Sequence, residues 1–290
     1  MANLKEIRNR IASVSSTKQI TSAMKMVSAA KLRKSQTAIQ KLRPYSKKLT
    51  EIMDRVVGSG CLDVPYARTE KQEKNVLLIA LTSNKGLCST FNSSIVKLTA
   101  SRISFYKEKN VNIYLQSYGK RGDAAFSKIE GINYLGSNDE IWDKLSFEKV
   151  NEIAEHVMQE FLTKKYDRVE IIYNIFKNAA TQFPVAENFL PMSLEEESKE
   201  EKNLNNDYIF EPNKEDILRS IIPQALHTQV YKCFLDSFAS EHGARMSSMN
   251  KATDNAQELL RELTLTYNKL RQASITNEII EICSGANALN

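Results

Sequence analysis

Few residues in this 290-residue chain have the types and spacing that chemistry requires. The best placed are Thr82-Ser83-Asn84-Lys85-Gly86-Leu87-Cys88-Ser89, a polar segment between a run that reads as a strand and one that reads as a helix. Turns of that kind bind phosphates in doubly wound folds, through backbone amides at the helix start. This one has a single glycine and matches neither G-x-G-x-x-G nor G-x-x-x-x-G-K-[ST], so a tight turn is the better reading. Cys88 has no histidine or acid near it in sequence to make it a thiolate, which favours a buried structural thiol over a nucleophile. Glu155-His156 with Glu160, and Glu241-His242, each bring one histidine, too few for a metal centre and ordinary on a helix surface. Cys61, Cys88, Cys233 and Cys283 show no C-x-x-C pairing and read as reduced thiols of a cytosolic protein. No acid–base pair or triad stands out. The expectation is therefore no catalytic residue, no cofactor and no metal.

The segments that would position such chemistry carry a stronger signal than the chemistry itself. From Met246 the spacing alternates three and four through Met249, Thr253, Ala256, Leu260, Leu263, Tyr267 and Leu270, which is a heptad seam. No glycine or proline interrupts it before Gly285. Beyond the seam, Arg271-Gln272-Ala273-Ser274-Ile275-Thr276-Asn277-Glu278 presents several hydrogen-bonding side chains within two turns. Ile279, Ile280, Ile282, Ala286, Ala288 and Leu289 then make a tip apolar on nearly every side. A helix of that kind requires burial in a partner. At the other end, residues 2–57 read as one helix. Leu4, Ile7, Ile11 and Val14 line one side, then a shifted stripe runs through Ile20, Met24 and Val27, and Ile39, Leu42, Leu49, Met53 and Val56 follow. Pro44 should kink or weaken it. At about 1.5 Å per residue this helix spans roughly 80 Å, longer than a small domain is wide. Methionine and small residues in Met24-Lys25-Met26-Val27-Ser28-Ala29-Ala30-Lys31 permit close helix–helix approach.

Between the two helices the texture changes. Val76–Thr82 is a continuous apolar run, the pattern of a strand buried on both faces. Strands at Val111–Tyr118 and Arg168–Phe176 alternate with helices near Asn92–Lys107, Lys120–Lys128 and Phe147–Lys164, with possible edge pieces at Phe183–Ala186 and Tyr208–Phe210. Glu195–Asn206 is acidic and polar, the composition of a surface loop. The fold expected is α/β: a long antiparallel coiled coil of N- and C-terminal helices with an inserted small Rossmann-like α/β domain. The expected domains are 1–57, 75–212 and 213–290, the last helix starting near Asn213 or Pro223.

Charge is unevenly spread. The net charge is +5, yet residues 1–60 carry thirteen Lys and Arg against three acids, or +10, leaving the rest at −5. A basic rod fits nucleic acid, an anionic membrane surface or acidic protein, unless it is simply a solvated face. Tyr45 is its only aromatic residue, which argues against nucleic acid. No stretch approaches roughly 18 consecutive apolar residues, so a membrane span is not expected, and the mean hydropathy of −0.40 agrees. The first twenty residues have no apolar signal-peptide core.

Both ends resemble the γ subunit of F-type ATP synthases. The resemblance is carried by Ile7–Gln36 (IRNRIASVSSTKQITSAMKMVSAAKLRKSQ) and Leu42–Ser46 (LRPYS) at the N-terminus. At the C-terminus, Glu241–Leu260 (EHGARMSSMNKATDNAQELL) and Tyr267–Leu289 (YNKLRQASITNEIIEICSGANAL) carry it. It extends over the middle more weakly, through Gly86-Leu87-Cys88 and Asp207–Pro212 (DYIFEP). It implies a central rotor shaft of a proton-translocating synthase, turning inside a ring of three α and three β subunits and coupling rotation to ATP synthesis without catalytic residues of its own. Partners so implied are the α and β subunits, the ε subunit and the membrane c-ring, with no nucleic acid. Met24 and Lys25 match the segment near acidic β-subunit loops, and Arg271, Gln272, Thr276 and Glu278 match the one that hydrogen-bonds to β-subunit loops. Ile279, Ile280, Ile282, Ala286 and Leu289 match the tip turning in an apolar sleeve, and Tyr208 and Glu211 the foot facing ε and the c-ring. The family loop often reads GLCG; here Ser89 stands at the second glycine. The regulatory insertion of chloroplast members is absent, so no thiol switch is expected. The implied location is peripheral, on the cytoplasmic face of a bacterial inner membrane, since no transit peptide is seen. Two rivals remain: an α/β enzyme with helical extensions, and a basic coiled-coil nucleic-acid binder.

Overall fold

The structure is a computed structural model that describes residues 4–57, 65–68, 73–179, 181–192 and 214–288. In chain order it contains α1 (Leu4–Val57), β1 (Asn75–Leu81), α2 (Phe91–Glu108), β2 (Asn112–Tyr118) and α3 (Lys120–Phe126). Then come β3 (Asn133–Ser137), α4 (Phe147–Leu162), β4 (Arg168–Phe176), β5 (Gln182–Leu190) and α5 (Lys214–Ala288). Short 3₁₀ turns lie at Pro65–Ala67 and Glu140–Trp142. Two compact units are formed: Ala30–Ala244, and Met1–Ala29 with Arg245–Asn290.

The first unit is built around a five-stranded sheet of order β3-β2-β1-β4-β5, parallel except for antiparallel β5. β1 and β4 are the continuous apolar runs, buried on both sides as such runs require. One face packs Leu77, Ile79, Val169, Ile171 and Tyr173 against Val150, Ala154 and Phe161 of α4 and Leu226, Val230 and Phe234 of α5. The other packs Val76, Leu78, Ala80 and Ile172 against Phe91, Ile95 and Ile103 of α2 and Phe126 of α3. A fully buried Leu, Ile or Phe side chain contributes about 2 kcal/mol relative to exposure. A polar device sits in the second core: Glu170, 3% exposed, is held by Arg102 and by the Tyr106 hydroxyl. Burial, reinforced by the hydrogen bond to Glu170, pushes the Tyr106 phenol well above its usual range. α4 starts at Ser146, whose hydroxyl accepts from the Lys149 amide. Gly119, at φ 121°, admits the first turn of α3 against Thr82, whose carbonyl oxygen would lie 2.4 Å from any Cβ there. In the same unit Leu32, Ser35, Ile39 and Leu49 of α1 are buried, and Tyr45 donates to Gln224 of α5 at 3.3 Å.

The second unit pairs the start of α1 with the end of α5. Thr253 donates to Thr21 at 2.9 Å and Lys25 to Asn250 at 2.5 Å, so the helices run antiparallel. Burial along α5 follows the expected heptad: Met249 and Ala256 are buried, and Thr253, Leu260, Leu263, Tyr267 and Leu270 are half-buried.

One expectation is corrected and others are filled in. The stripe on α1 does not shift to Ile20 and Val27, although Met24 is half-buried. Burial keeps a strict heptad through Ile7, Val14, Thr21, Ser28 and Ser35, while Ile20 and Val27 are 60% and 57% exposed. Small hydroxyl residues serve the seam because they let the helices approach closely. They satisfy their own hydroxyls on the preceding turn, as Ser35 does on the Lys31 carbonyl at 2.8 Å. α1 runs as one helix through Pro44, and α5 starts at Lys214, at the earlier of the two expected points, with Pro223 inside it. Asn133–Ser137 is an additional parallel strand, and the suggested edge piece at Phe183–Ala186 is found as the first half of the nine-residue edge strand β5. Tyr208–Phe210, Glu211 and Leu289 lie outside the described residues, and the side chain of Ala286 is not described.

Candidate functional site

The turn after β1 closes on itself. The Ser83 amide donates to Asn92 Oδ1 at 3.0 Å, and the Ser83 hydroxyl to the Lys85 carbonyl at 2.7 Å. Asn92 Nδ2 donates to Cys88 Sγ at 3.2 Å. Cys88 is 2% exposed, a structural thiol in the core rather than a presented nucleophile. Ser89, where the related pattern has glycine, takes φ 53°, and Leu87 takes φ 61°; both occupy the left-handed region that side chains enter at a cost. His156 is exposed and stands 3.6 Å from Glu160, which forms an ion pair with Lys165 on the helix surface. Among the described residues no group of three metal-ligating side chains forms.

The arrangement that lacks internal purpose is the end of α5. The buried seam runs through Leu270 to Ser274 and then stops, whereas the helix continues to Ala288. From Ile275 to Gly285 every residue is exposed. Ile275, Ile279, Ile280 and Ile282 are 48%, 55%, 56% and 71% exposed. Isolated apolar side chains on a surface need no explanation, but four isoleucines within eight residues do. Arg271, Gln272, Thr276 and Glu278 are exposed beside them. Thr276 donates to the Gln272 carbonyl at 2.9 Å, and Ser274 to Glu278 at 3.4 Å, so the polar girdle is braced along the helix itself. Ile275 belongs to this exposed set although the apolar tip was expected to begin at Ile279; its position one turn earlier is the signal that could have included it.

On α1 the candidate pair separates. Met24 is half-buried, while Lys25 is exposed and engages Asn250 of α5. The neighbouring Met26 is 68% exposed, and Ile20 and Val27, which periodicity had assigned to the seam, are exposed as well. No described helix is long and apolar enough to cross a membrane.

Comparison with known proteins accounts for this combination. Residues 3–289 match the ATP synthase family. A relative from Flavobacterium johnsoniae, an ATP synthase gamma chain, is 54% identical over 292 residues and covers all of both chains. An ATP synthase gamma chain from Christiangramia forsetii is 52% identical, again over the full length of each. Among solved structures, the central stalk and c-ring structure of the Tetrahymena thermophila mitochondrial ATP synthase contains a chain with TM-score 0.56 and 26% identity. That match covers 80% of this chain and 99% of the other. A chain of the Euglena gracilis mitochondrial ATP synthase has the same fold, with TM-score 0.62 at 21% identity, covering 99% and 94%. By sequence match along essentially its whole length, the chain belongs to the ATP synthase gamma-chain family.

Proposed function

We propose how this chain, a coupling subunit of ATP synthase and not itself a catalyst, meets the parts it couples. Ile275, Ile279, Ile280 and Ile282, with Ala286 and Leu289, form the apolar bearing that turns within the α and β subunits. Arg271, Gln272, Thr276 and Glu278 form the polar girdle that engages β-subunit loops. Met24 and Lys25, with the exposed Met26 and Val27 beside them, meet acidic β-subunit loops, which suits the +10 charge of residues 1–60. Tyr208 and Glu211 face the ε subunit and the c-ring. The functional division follows 1–57 and 213–290 as the shaft and 75–212 as the foot. The chain is peripheral to a membrane complex, on the cytoplasmic face of a bacterial inner membrane, and the rotation it carries is driven by protons.

The observation behind this reading is the seam that ends at Ser274 while the helix goes on, apolar and uncovered. Torque transmission explains why each long helix is continuous: a flexible joint along the load path would dissipate rotation. Co-purification tests the assembly. A tagged chain should recover α and β subunits at one copy per three of each, and recovery only as a free homodimer would contradict the rotor role. Arg271→Ala and Glu278→Ala should lower ATP synthesis or assembly while the isolated chain stays folded; unfolding of the isolated chain would make these residues structural instead.

A further inference from the structure

In doubly wound folds the ligand crevice opens at the carboxyl ends of the strands, where the strand order reverses. In this sheet that point lies between β1 and β4. The chain's own helix passes along this edge. Leu226, Val230 and Phe234 of α5 belong to the core on one face of the sheet, whereas Ala244 belongs to the core on the other, with Cys88, Phe91 and Ile172. α5 therefore crosses the carboxyl edge of the sheet between Phe234 and Ala244.

Asn174, near the end of β4 and 1% exposed, is the hub of the crossing. Its carbonyl accepts from the fully buried Ser240 hydroxyl of α5 at 2.9 Å. Its side chain donates to the Phe91 carbonyl at 3.1 Å and accepts from Ser94 at 3.3 Å, both at the start of α2. One turn beyond Ser240 stands Gly243. A Cβ there would lie 3.1 Å from the Phe176 ring and 3.3 Å from the Ala179 Cα, so even a methyl requires the ring or the Ala179 backbone to give by a few tenths of an ångström, and a larger side chain requires more.

We propose that Ser240–Ala244 is a key seated in this crevice, and that the joint stops the sheet and its helices from rolling about α5, so that torque on one is borne by the other. The hydrophobic effect is non-directional, and interdigitated apolar side chains resist rolling only through their shapes. A buried hydrogen bond to a strand carbonyl and a backbone-close glycine contact have fixed directions and add to that resistance. The functional half of the proposal rests on the rotor role; the geometry of the joint does not. It also gives the crevice a use other than a nucleotide. Ser240 and Gly243 act here as positioning residues.

The test uses the whole ATP synthase, held by its catalytic ring, with a rotation probe at Ser101→Cys on the exposed side of α2 and Cys61 and Cys283 replaced by serine. Under ATP the probe should rotate in steps. Gly243→Val should widen its angular spread within each dwell, and Ser240→Ala, which removes only the hydroxyl, should widen it less. A spread unchanged in both variants overturns the joint while leaving the rotor intact. Failure of both variants to assemble also overturns it, because the contacts would then serve folding and not load. A probe that does not rotate in the parent complex overturns the rotor role itself.

Discussion

The same three residues, Glu-Ile-Ile, occur twice with opposite fates. In β4, Glu170, Ile171 and Ile172 are 3%, 1% and 0% exposed; in α5, Glu278 is exposed and Ile279 and Ile280 are 55% and 56% exposed. Composition is identical, so the difference lies in what each segment packs against. β4 sits between two layers of helices, and its glutamate is matched by Arg102 and Tyr106. The end of α5 has left its seam and, among the described residues, has nothing to pack on. A hydrophobic segment whose partner is internal builds a core, whereas the exposed one is left for the bearing role proposed above.

The comparison can be broken from the β4 side first, where effects are largest. Arg102→Ala strands a buried carboxylate and should cost about 3 kcal/mol in chemical denaturation, since removing one partner of a buried pair leaves the other charge uncompensated. Ile171→Ala should cost a similar amount, about 3 kcal/mol, through lost burial and the cavity left behind. On the α5 side, Ile279→Ala and Glu278→Ala should each stay within about 0.5 kcal/mol in the same assay, as exposed substitutions do. Their effect should fall on assembly or on ATP synthesis. A loss of stability at Ile279 as large as that at Ile171 would erase the distinction.

A pH titration sharpens the contrast between buried and exposed acids. Burial, with a smaller push from Glu187, raises the Asp236 carboxyl to about 6 against an ordinary 3.8, while Lys232 and Arg43 pull the other way. The folded state therefore holds this proton more tightly than the unfolded chain. The stability it contributes is fully present below about 3.8 and is lost as pH rises through about 6. The difference amounts to about 3 kcal/mol at 1.36 kcal/mol per unit. Asp236→Asn should abolish that slope and leave the protein more stable than the parent near pH 7.

Legibility followed the same division between local pattern and distant partner. β1 and β4 were readable as uninterrupted apolar runs, and the α5 seam as a heptad, because each signal is contained in one stretch of chain. The tip was readable for the opposite reason, as apolar residues on all sides. The α1 seam was misread between Ile20 and Val27 because Thr21 and Ser28 are polar by type yet buried by position, while the more apolar Ile20 and Val27 point outward. β3 was missed because Asn133-Tyr134-Leu135-Gly136-Ser137 is a short edge strand, with Gly136 at φ 98°, and has no strong alternation of its own. The Asn174–Ser240 contact joins residues 66 apart in sequence, and no local pattern announces it.

The central claim is that the last turns of α5 are uncovered in the chain and covered in the complex. Cys283, exposed among those turns, is a native reporter of that change. Its rate of reaction with a maleimide should be measured in the free chain and in assembled ATP synthase, with the buried Cys88 and Cys233 as slow internal references. The account predicts rapid labelling of the free chain and strong protection on assembly. Equal labelling rates in the two states would contradict it.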